Sequence, residues 1–435
     1  MQALILDTIH GGSTIASYVA ELGHTVDTVD IYRDDGTISL VDAQKCLNRE
    51  KYERVIHPVH LRGNHPLLQA AQIHNIPTQT HHQAVAEILS EWEKNGTFIR
   101  PRRMVEITGA RGKTTTAYAL ASCLALSGPG LLHSSAGIYR YPKKDKIGQL
   151  SITPASVLTI AREYWEYGMT WMICEESLGV SGYHDCAILT SDVDYRCAAE
   201  TRSALDIKKA SLQKSPCVVF PGEYAMHEIP QGIPANSIVQ VSGEWAEYQY
   251  GAWEGTCTNP LFFLSQYRTS LTLATASSIV LGVEPRGINS FQPVQGRLSL
   301  ITQKNDANDA NGERIILDDS NSGTTHITTI EAARYLRTTT HRSDIILCIG
   351  QDAHAVCENL SAASIIETIE AIKPAYIILV PNGLPDTEKE EICAYINREQ
   401  HPYQTASSLD EAQSLLRSPS IPPEMPALCA VKTWR

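Results

Sequence analysis

The chain has eleven cysteines but no Cys-x-x-Cys pair, and the number is odd. Scattered thiols of that kind argue against a disulfide framework and against a structural zinc site, and they point to reduced cysteines in a cytoplasmic setting. No apolar run reaches the roughly 18 residues that a membrane span requires. The opening Met1-Gln2-Ala3-Leu4-Ile5-Leu6-Asp7 lacks the basic stretch and cleavage site of an export signal and reads as a first strand. Positive charge is also in short supply, with 36 Lys and Arg against 48 Asp and Glu and a formal net charge of −12. That balance excludes broad-surface binding to nucleic acid or to an anionic membrane and leaves a small molecule as the expected partner. An anionic substrate would then need a local basic or histidine-lined pocket. The dinucleotide fingerprint Gly-x-Gly-x-x-Gly is missing from the first βαβ pattern as well.

What the chain does have is Val105-Glu106-Ile107-Thr108-Gly109-Ala110-Arg111-Gly112-Lys113-Thr114-Thr115, an apolar strand that turns through glycines into a helix. Such a turn directs backbone N–H groups and a helix dipole at bound phosphate. Thr108, Gly109, Ala110, Arg111, Gly112, Lys113, Thr114 and Thr115 are therefore the expected nucleotide-binding residues. Lys113 would reach the β- and γ-phosphates and the Thr114 hydroxyl would sit on Mg²⁺. Ile107 takes the place of the first glycine in Gly-x-x-x-x-Gly-Lys-[Ser/Thr], so the cradle is shortened to Thr-Gly-x-x-Gly-Lys-Thr. Further along, Trp171-Met172-Ile173-Cys174 ends in Glu175-Glu176-Ser177. An acid at the end of a buried strand beside a phosphate loop is where an ATPase holds Mg²⁺.

The shortened cradle resembles that of the Mur ligases and folylpolyglutamate synthetases, ATP-dependent enzymes that convert a carboxylate into an acyl phosphate. Other landmarks follow in that family's order. Ile152-Thr153-Pro154 resembles the loop that faces the reacting carboxylate. Glu175-Glu176-Ser177 resembles its Glu-x-Ser, with Glu175 the metal ligand and Glu176 a substitute. Lys208-Lys209-Ala210-Ser211-Leu212 resembles the helix whose lysine is carbamylated, with Lys209 matching. Gln295-Gly296-Arg297 resembles the motif whose arginine reaches ATP, and Asp318-Asp319-Ser320-Asn321-Ser322 the loop that swings onto the nucleotide through Asp319. Two departures accompany these matches. Tyr195 stands where a metal-binding histidine is expected, with His184 a nearby alternative. Gln266-Tyr267-Arg268 replaces the stretch that touches adenine.

The resemblance implies an α/β, three-domain architecture. A central P-loop ATP-binding domain (99–292) lies between a Rossmann-like substrate domain (1–98) and a Rossmann-like C-terminal domain (293–435). Alternating strands and helices predict parallel or mostly parallel sheets throughout. Lys113, Glu175, Lys209 and Asp319 are the implied catalytic residues, Arg297 and Asp319 join the cradle in binding nucleotide, and Thr114 and Glu175 hold the metal. ATP and Mg²⁺ are the implied cofactors. Eight of the fifteen histidines fall at or before His82. His10, Gly11, Gly12, His57 and His60, at turns after strands, together with Thr153, are the expected substrate contacts. The opening Leu6-Asp7-Thr8-Ile9-His10-Gly11-Gly12 and the Pro58-Val59-His60 loop most resemble the archaeal branch of these ligases that makes coenzyme F(430), a nickel tetrapyrrole. There ATP activates a propionate and a ring carbon attacks it, closing a carbocyclic ring. An amide-forming ligase of the same superfamily is the alternative, and a nucleotide-dependent metal-delivery protein a third reading from another class.

Overall fold

The computed structural model describes residues 1–433 apart from 33–35, 199–200, 223–228, 295, 305–312, 322, 353–359, 419–420 and 423. The chain forms two compact units, Met1–Phe291 and Gln292–Arg435.

The first unit contains two large sheets. One is four-stranded and parallel, in the order Thr25–Val29, Gln2–Leu6, Arg54–His57, Thr78–Thr80. The other is eight-stranded, in the order Gly232–Pro234, Val218–Phe220, Cys186–Leu189, Arg103–Thr108, Trp171–Glu175, Gly130–Ser134, Gly137–Tyr141, Asp145–Gly148. Its first six strands run parallel, and every residue of Arg103–Thr108 is buried, as both-faces burial of a central parallel strand requires. The last two are antiparallel.

Helix His81–Lys94 joins the two sheets. Its start is set by a capping box between Thr80 and Gln83. From it Val85, Ile88, Leu89 and Trp92 enter one apolar cluster with Ile5 and Ile56 of the small sheet, Leu131 and Met172 of the large one and Val157 of helix Pro154–Thr159. The opposite face of the small sheet packs Leu4, Leu6 and Val55 on Leu47, Leu67 and Ala71 of its own helices. One face of the small sheet is therefore committed to the layer of the large one.

A three-stranded antiparallel sheet, Val239–Ser242, Trp245–Tyr250 and Trp253–Thr258, departs from the parallel expectation. Its connections are the two-residue pairs Gly243-Glu244 and Gly251-Ala252, with Gly243 at φ 63° and Gly251 at φ 59°. Glycine permits those left-handed turns, which match the twist of the paired strands.

The second unit is a six-stranded sheet in the order Ser299–Lys304, Glu313–Asp318, Ala427–Lys432, Ile346–Gln351, Tyr376–Val380, Tyr403–Thr405, parallel but for the first. Gln295, Ser322 and the polar turn expected at 305–312 lie outside the described residues. Helices also shift from expectation. Ile152-Thr153-Pro154 leads into an apolar pattern that predicts a helix from Val157 to Tyr167; the helix instead starts at Pro154, with Pro in the first turn, and becomes a wider π-type turn at Ile160–Tyr164. No helix among the described residues is long and apolar enough to cross a membrane.

Candidate functional site

The cradle lies at the carboxyl end of Arg103–Thr108, between Cys186–Leu189 and Trp171–Glu175, where α/β crevices bind ligands. Helix Lys113–Leu124 starts at Gly112, which has φ 79°. Gly109, at φ 144°, lies so close to Thr190 that a Cβ would collide with its hydroxyl. The loop is fastened from the neighbouring strand end. The Ser191 hydroxyl accepts Ala110 N at 2.9 Å and Arg111 N at 3.2 Å, and the Thr190 hydroxyl donates to Thr108 O at 3.2 Å and Arg111 O at 2.5 Å. Thr115 is buried beneath the turn.

Lys113 Nζ donates to Gly109 O at 3.0 Å and stands 3.9 Å from Glu175 Oε1. The Thr114 hydroxyl donates to Glu175 Oε2 at 2.9 Å, and the Ser135 backbone N–H reaches the same oxygen at 3.2 Å. A hydroxyl and a buried carboxylate in contact beside a phosphate loop form an all-oxygen pair, the donor chemistry Mg²⁺ requires. Ser135 and Ser191 belong to this arrangement and were not singled out in the sequence. Their only signal is their place just after strands.

Glu176, the substitute acid, points elsewhere. Its carboxyl is fully buried, and burial, reinforced by the Glu106 charge, pushes its pKa well up. His82 Nε2 stands 3.5 Å from it, and burial takes that imidazole down to about 4. Burial favours the uncharged form of both groups, which works against an ion pair between them. Glu106 carries the charge of this cluster. Burial works against it, but His184 Nδ1 at 2.8 Å and the Ser181 N–H hold its pKa below the usual range. His184 also contacts Ser215 Oγ at 3.0 Å through Nε2. Both its ring nitrogens are engaged in the interior, which corrects the expectation that it might replace the missing metal histidine.

On helix Ala204–Leu212 the expected lysine and the buried one differ by one position. Lys208 is 1% exposed, its Nζ lies 3.3 Å from the Tyr195 hydroxyl and 4.5 Å from the ring centre, and burial together with the Lys113 charge brings its pKa down to about 8. Lys209 is half-buried. Asp194, before Tyr195, caps this helix by accepting Ser203 Oγ and Leu205 N, each at 2.9 Å.

Most of the residues expected to contact substrate gather around the turn Thr8–Gly12. A Cβ on Gly11 would lie 2.5 Å from Ala155 Cβ and 3.3 Å from Thr153 Oγ1, so this turn abuts the Thr153 loop. Gly12 has no room for a side chain against Asp7 O. His10 Nδ1 and His60 Nε2 approach Asp7 Oδ2 at 2.8 and 3.5 Å. Burial tends to raise the Asp7 pKa, yet the contacts from His60 and His10 bring it down to about 2. Arg202 donates to Val59 O at 2.7 Å and ties the His60 loop to the nucleotide-binding layer. His57 is set apart from these two. Its Nδ1 lies 3.0 Å from Pro58 O, and it lines an open cavity of about 460 Å³ with Gly63, Leu68, Gln72 and Ile76.

In the second unit Asp319 is buried, and burial next to Asp318 raises its pKa well up while the Arg297 charge opposes the rise. Its loop is held by Asp319 N donating to Cys429 O at 2.7 Å and by Asn321 Nδ2 donating to Gly296 O at 2.7 Å. Arg297 and Asp319 are thus electrostatic neighbours. The side chain of Gln266 lies outside the described residues.

Residues 309–423 match the family described as "Coenzyme F430 synthetase CfbE, C-terminal domain". The chain is 27% identical to the coenzyme F(430) synthetase of Methanosarcina acetivorans, over 95% of this chain and 97% of that protein. Among solved structures it is similar to UDP-N-acetylmuramate-alanine ligase MurC of Thermotoga maritima, with a TM-score of 0.52, 13% identity and 99% and 95% of the two chains covered. It is also similar to the MurF ligase of Thermotoga maritima in complex with ADP, with a TM-score of 0.50, 12% identity and 91% and 88% covered. The chain has the Mur ligase fold, and its sequence similarity runs to proteins named coenzyme F(430) synthetase.

Proposed function

We propose that this chain is an ATP-dependent ligase of the coenzyme F(430) synthetase type. It activates a propionate of a nickel tetrapyrrole acid as an acyl phosphate. A ring carbon of the same substrate then attacks the acyl carbon, loses its proton and expels phosphate, so that a carbocycle closes and ADP and phosphate are released. The observation that carries the reading is the contact of Thr114 and Glu175 beside Lys113, in a chain alike over nearly its whole length to a coenzyme F(430) synthetase. The likeness to Mur ligases, one of them solved with ADP, supports ATP as the nucleotide.

In this reading 1–98 bind the tetrapyrrole acid, 99–292 bind ATP and 293–435 form the C-terminal domain. Gly109 to Thr115 bind the phosphates through backbone N–H groups, and Lys113 offsets charge on the transferring phosphoryl group. Thr114 and Glu175 would hold Mg²⁺, which supplies further charge neutralisation when bound. His10, Gly11, His60 and Thr153 line the adjoining turn and orient the carboxylate, with His57 on the same domain. Arg297 and Asp319 are the nucleotide-binding residues of the second unit in this reading. For the carbamylated lysine the environment favours Lys208 over Lys209, because a buried amine with a pKa of about 8 keeps a neutral, nucleophilic fraction near neutrality.

Incubation with ATP, Mg²⁺ and the seco-tetrapyrrole acid, followed by mass spectrometry, tests the function. The expected product is lighter by one water, gains no nitrogen and appears with one ADP and one phosphate. The Mur ligase fold itself favours a second reading, an amide-forming ligase. Strict dependence on an added amine, with its nitrogen found in the product, would establish that reading instead.

A further inference from the structure

Asp7 ends the strand Gln2–Leu6 with φ 75°, a left-handed conformation that aspartate adopts only under constraint. The constraint is visible. Asp7 Oδ1 accepts the Ile9 and His10 N–H groups at 2.9 and 3.1 Å, which fixes the carboxylate and leaves Oδ2 facing two imidazoles. His10 presents Nδ1 to that oxygen and His60 presents Nε2. The three ligand atoms lie within 4.8 Å of one another.

The rings are themselves held. His10 and His60 meet edge to face with centroids 4.8 Å apart, and Tyr32 packs on both, stacked on His60 at 6.4 Å and edge-on to His10 at 5.6 Å. Asp7 is fully buried, whereas the His10 side chain is 47% exposed, so the cluster is closed behind and open in front. His60 Nε2 is shielded from solvent and makes no hydrogen bond, standing 3.5 Å from Asp7 Oδ2, too far for a good bond. A ring nitrogen held shielded, unbonded and aimed at a fixed carboxylate is poorly explained by packing alone.

We propose that Asp7 Oδ2, His10 Nδ1 and His60 Nε2 form a binding site for one divalent transition-metal ion. Two imidazoles and a carboxylate select borderline ions such as Co²⁺, Ni²⁺ or Zn²⁺ over Mg²⁺, which prefers all-oxygen sets like Thr114 and Glu175. Three protein ligands leave at least one position open on the exposed side, for water or a ligand oxygen. The site is separate from the Mg²⁺ pair but shares His10 and His60 with the carboxylate contacts of the proposed function, and Co²⁺ binding to the substrate-free protein tests it whether or not the ligase reading holds.

The test uses the untagged full-length protein in excess Mg²⁺, titrated with Co²⁺ alone and followed by visible absorption and calorimetry. One equivalent of Co²⁺ should bind with the spectrum of a mixed nitrogen and oxygen site. His10→Ala and His60→Ala should each weaken binding at least tenfold, and His24→Ala should leave it unchanged. Asp7 organises the turn, so the histidine variants carry the test, and matched thermal unfolding of the metal-free proteins checks that they fold. The proposal is overturned if the wild type binds no stoichiometric Co²⁺, or if either histidine variant retains wild-type affinity and spectrum.

Discussion

At the scale of single residues the sequence reveals local chemistry and hides direction. The cradle was legible because seven consecutive residues carry it. Lys113→Ala should reduce ADP formation by at least about a hundredfold, since it removes a positive charge aimed at transferring phosphate, while thermal unfolding stays near wild type. An ADP-release assay beside a melting curve decides it. The choice between Glu175 and Glu176 could not be read from a strand end, where alternate residues face opposite sides of the sheet. Glu175 faces Thr114, and Glu176 faces His82. Glu175→Gln should therefore raise the Mg²⁺ concentration needed for half-maximal activity, while Glu176→Gln leaves it unchanged. Lys208 and Lys209 pose the same problem on a helix, where one position is about 100° of rotation. Lys208→Ala should impair turnover more than Lys209→Ala, and the wild-type rate should rise with pH toward about 8 as the Lys208 amine loses its proton. A pH–rate profile of the two variants checks this. Equal effects would leave the helix without a functional lysine.

At the scale of elements, the buried ends of strand Trp171–Glu175 and helix His81–Lys94 make a pH-dependent contact. Folded Glu176 holds its proton more tightly than the unfolded chain does, with the ordinary value at 4.5. Its contribution to stability is complete below that value and is lost as pH rises toward the folded pKa. Glu176→Gln keeps the uncharged form at every pH, so its stability should fall less steeply than wild type from about pH 5 upward. Urea midpoints across pH 5 to 8 measure this, and parallel curves would show that Glu176 ionises freely. The helix Ala204–Leu212 was legible through the resemblance of its Lys208–Leu212 stretch. The hairpins around Gly243 and Gly251 were not, because isolated glycines there resemble ordinary loop residues until the two-residue spacing is recognised.

At the scale of the whole molecule, the second compact unit starts at Gln292. The relation between the small and large sheets was hidden. Their common core draws single residues from segments far apart in sequence, among them Ile5, Trp92, Val157 and Met172. No local pattern announces that Val85 and Leu89 share a core with the neighbouring sheet as well as their own. The convergence of Asp7, His10 and His60 was hidden for the same reason, since roughly fifty residues separate the last two.

The contact of Gly11 with Ala155 and Thr153 also sets a rule for recombination. A side chain at position 11 would have to occupy the space already filled by Ala155, so the sizes of the two residues are coupled. A chimera that takes its first 98 residues from a relative bearing a larger residue at position 11 should express poorly. Grafting the matching Thr153–Ala155 loop along with that segment should restore it. Exchange of substrate specificity between such enzymes would then proceed by trading two separated segments together, and a single crossover at position 98 would yield unpaired halves.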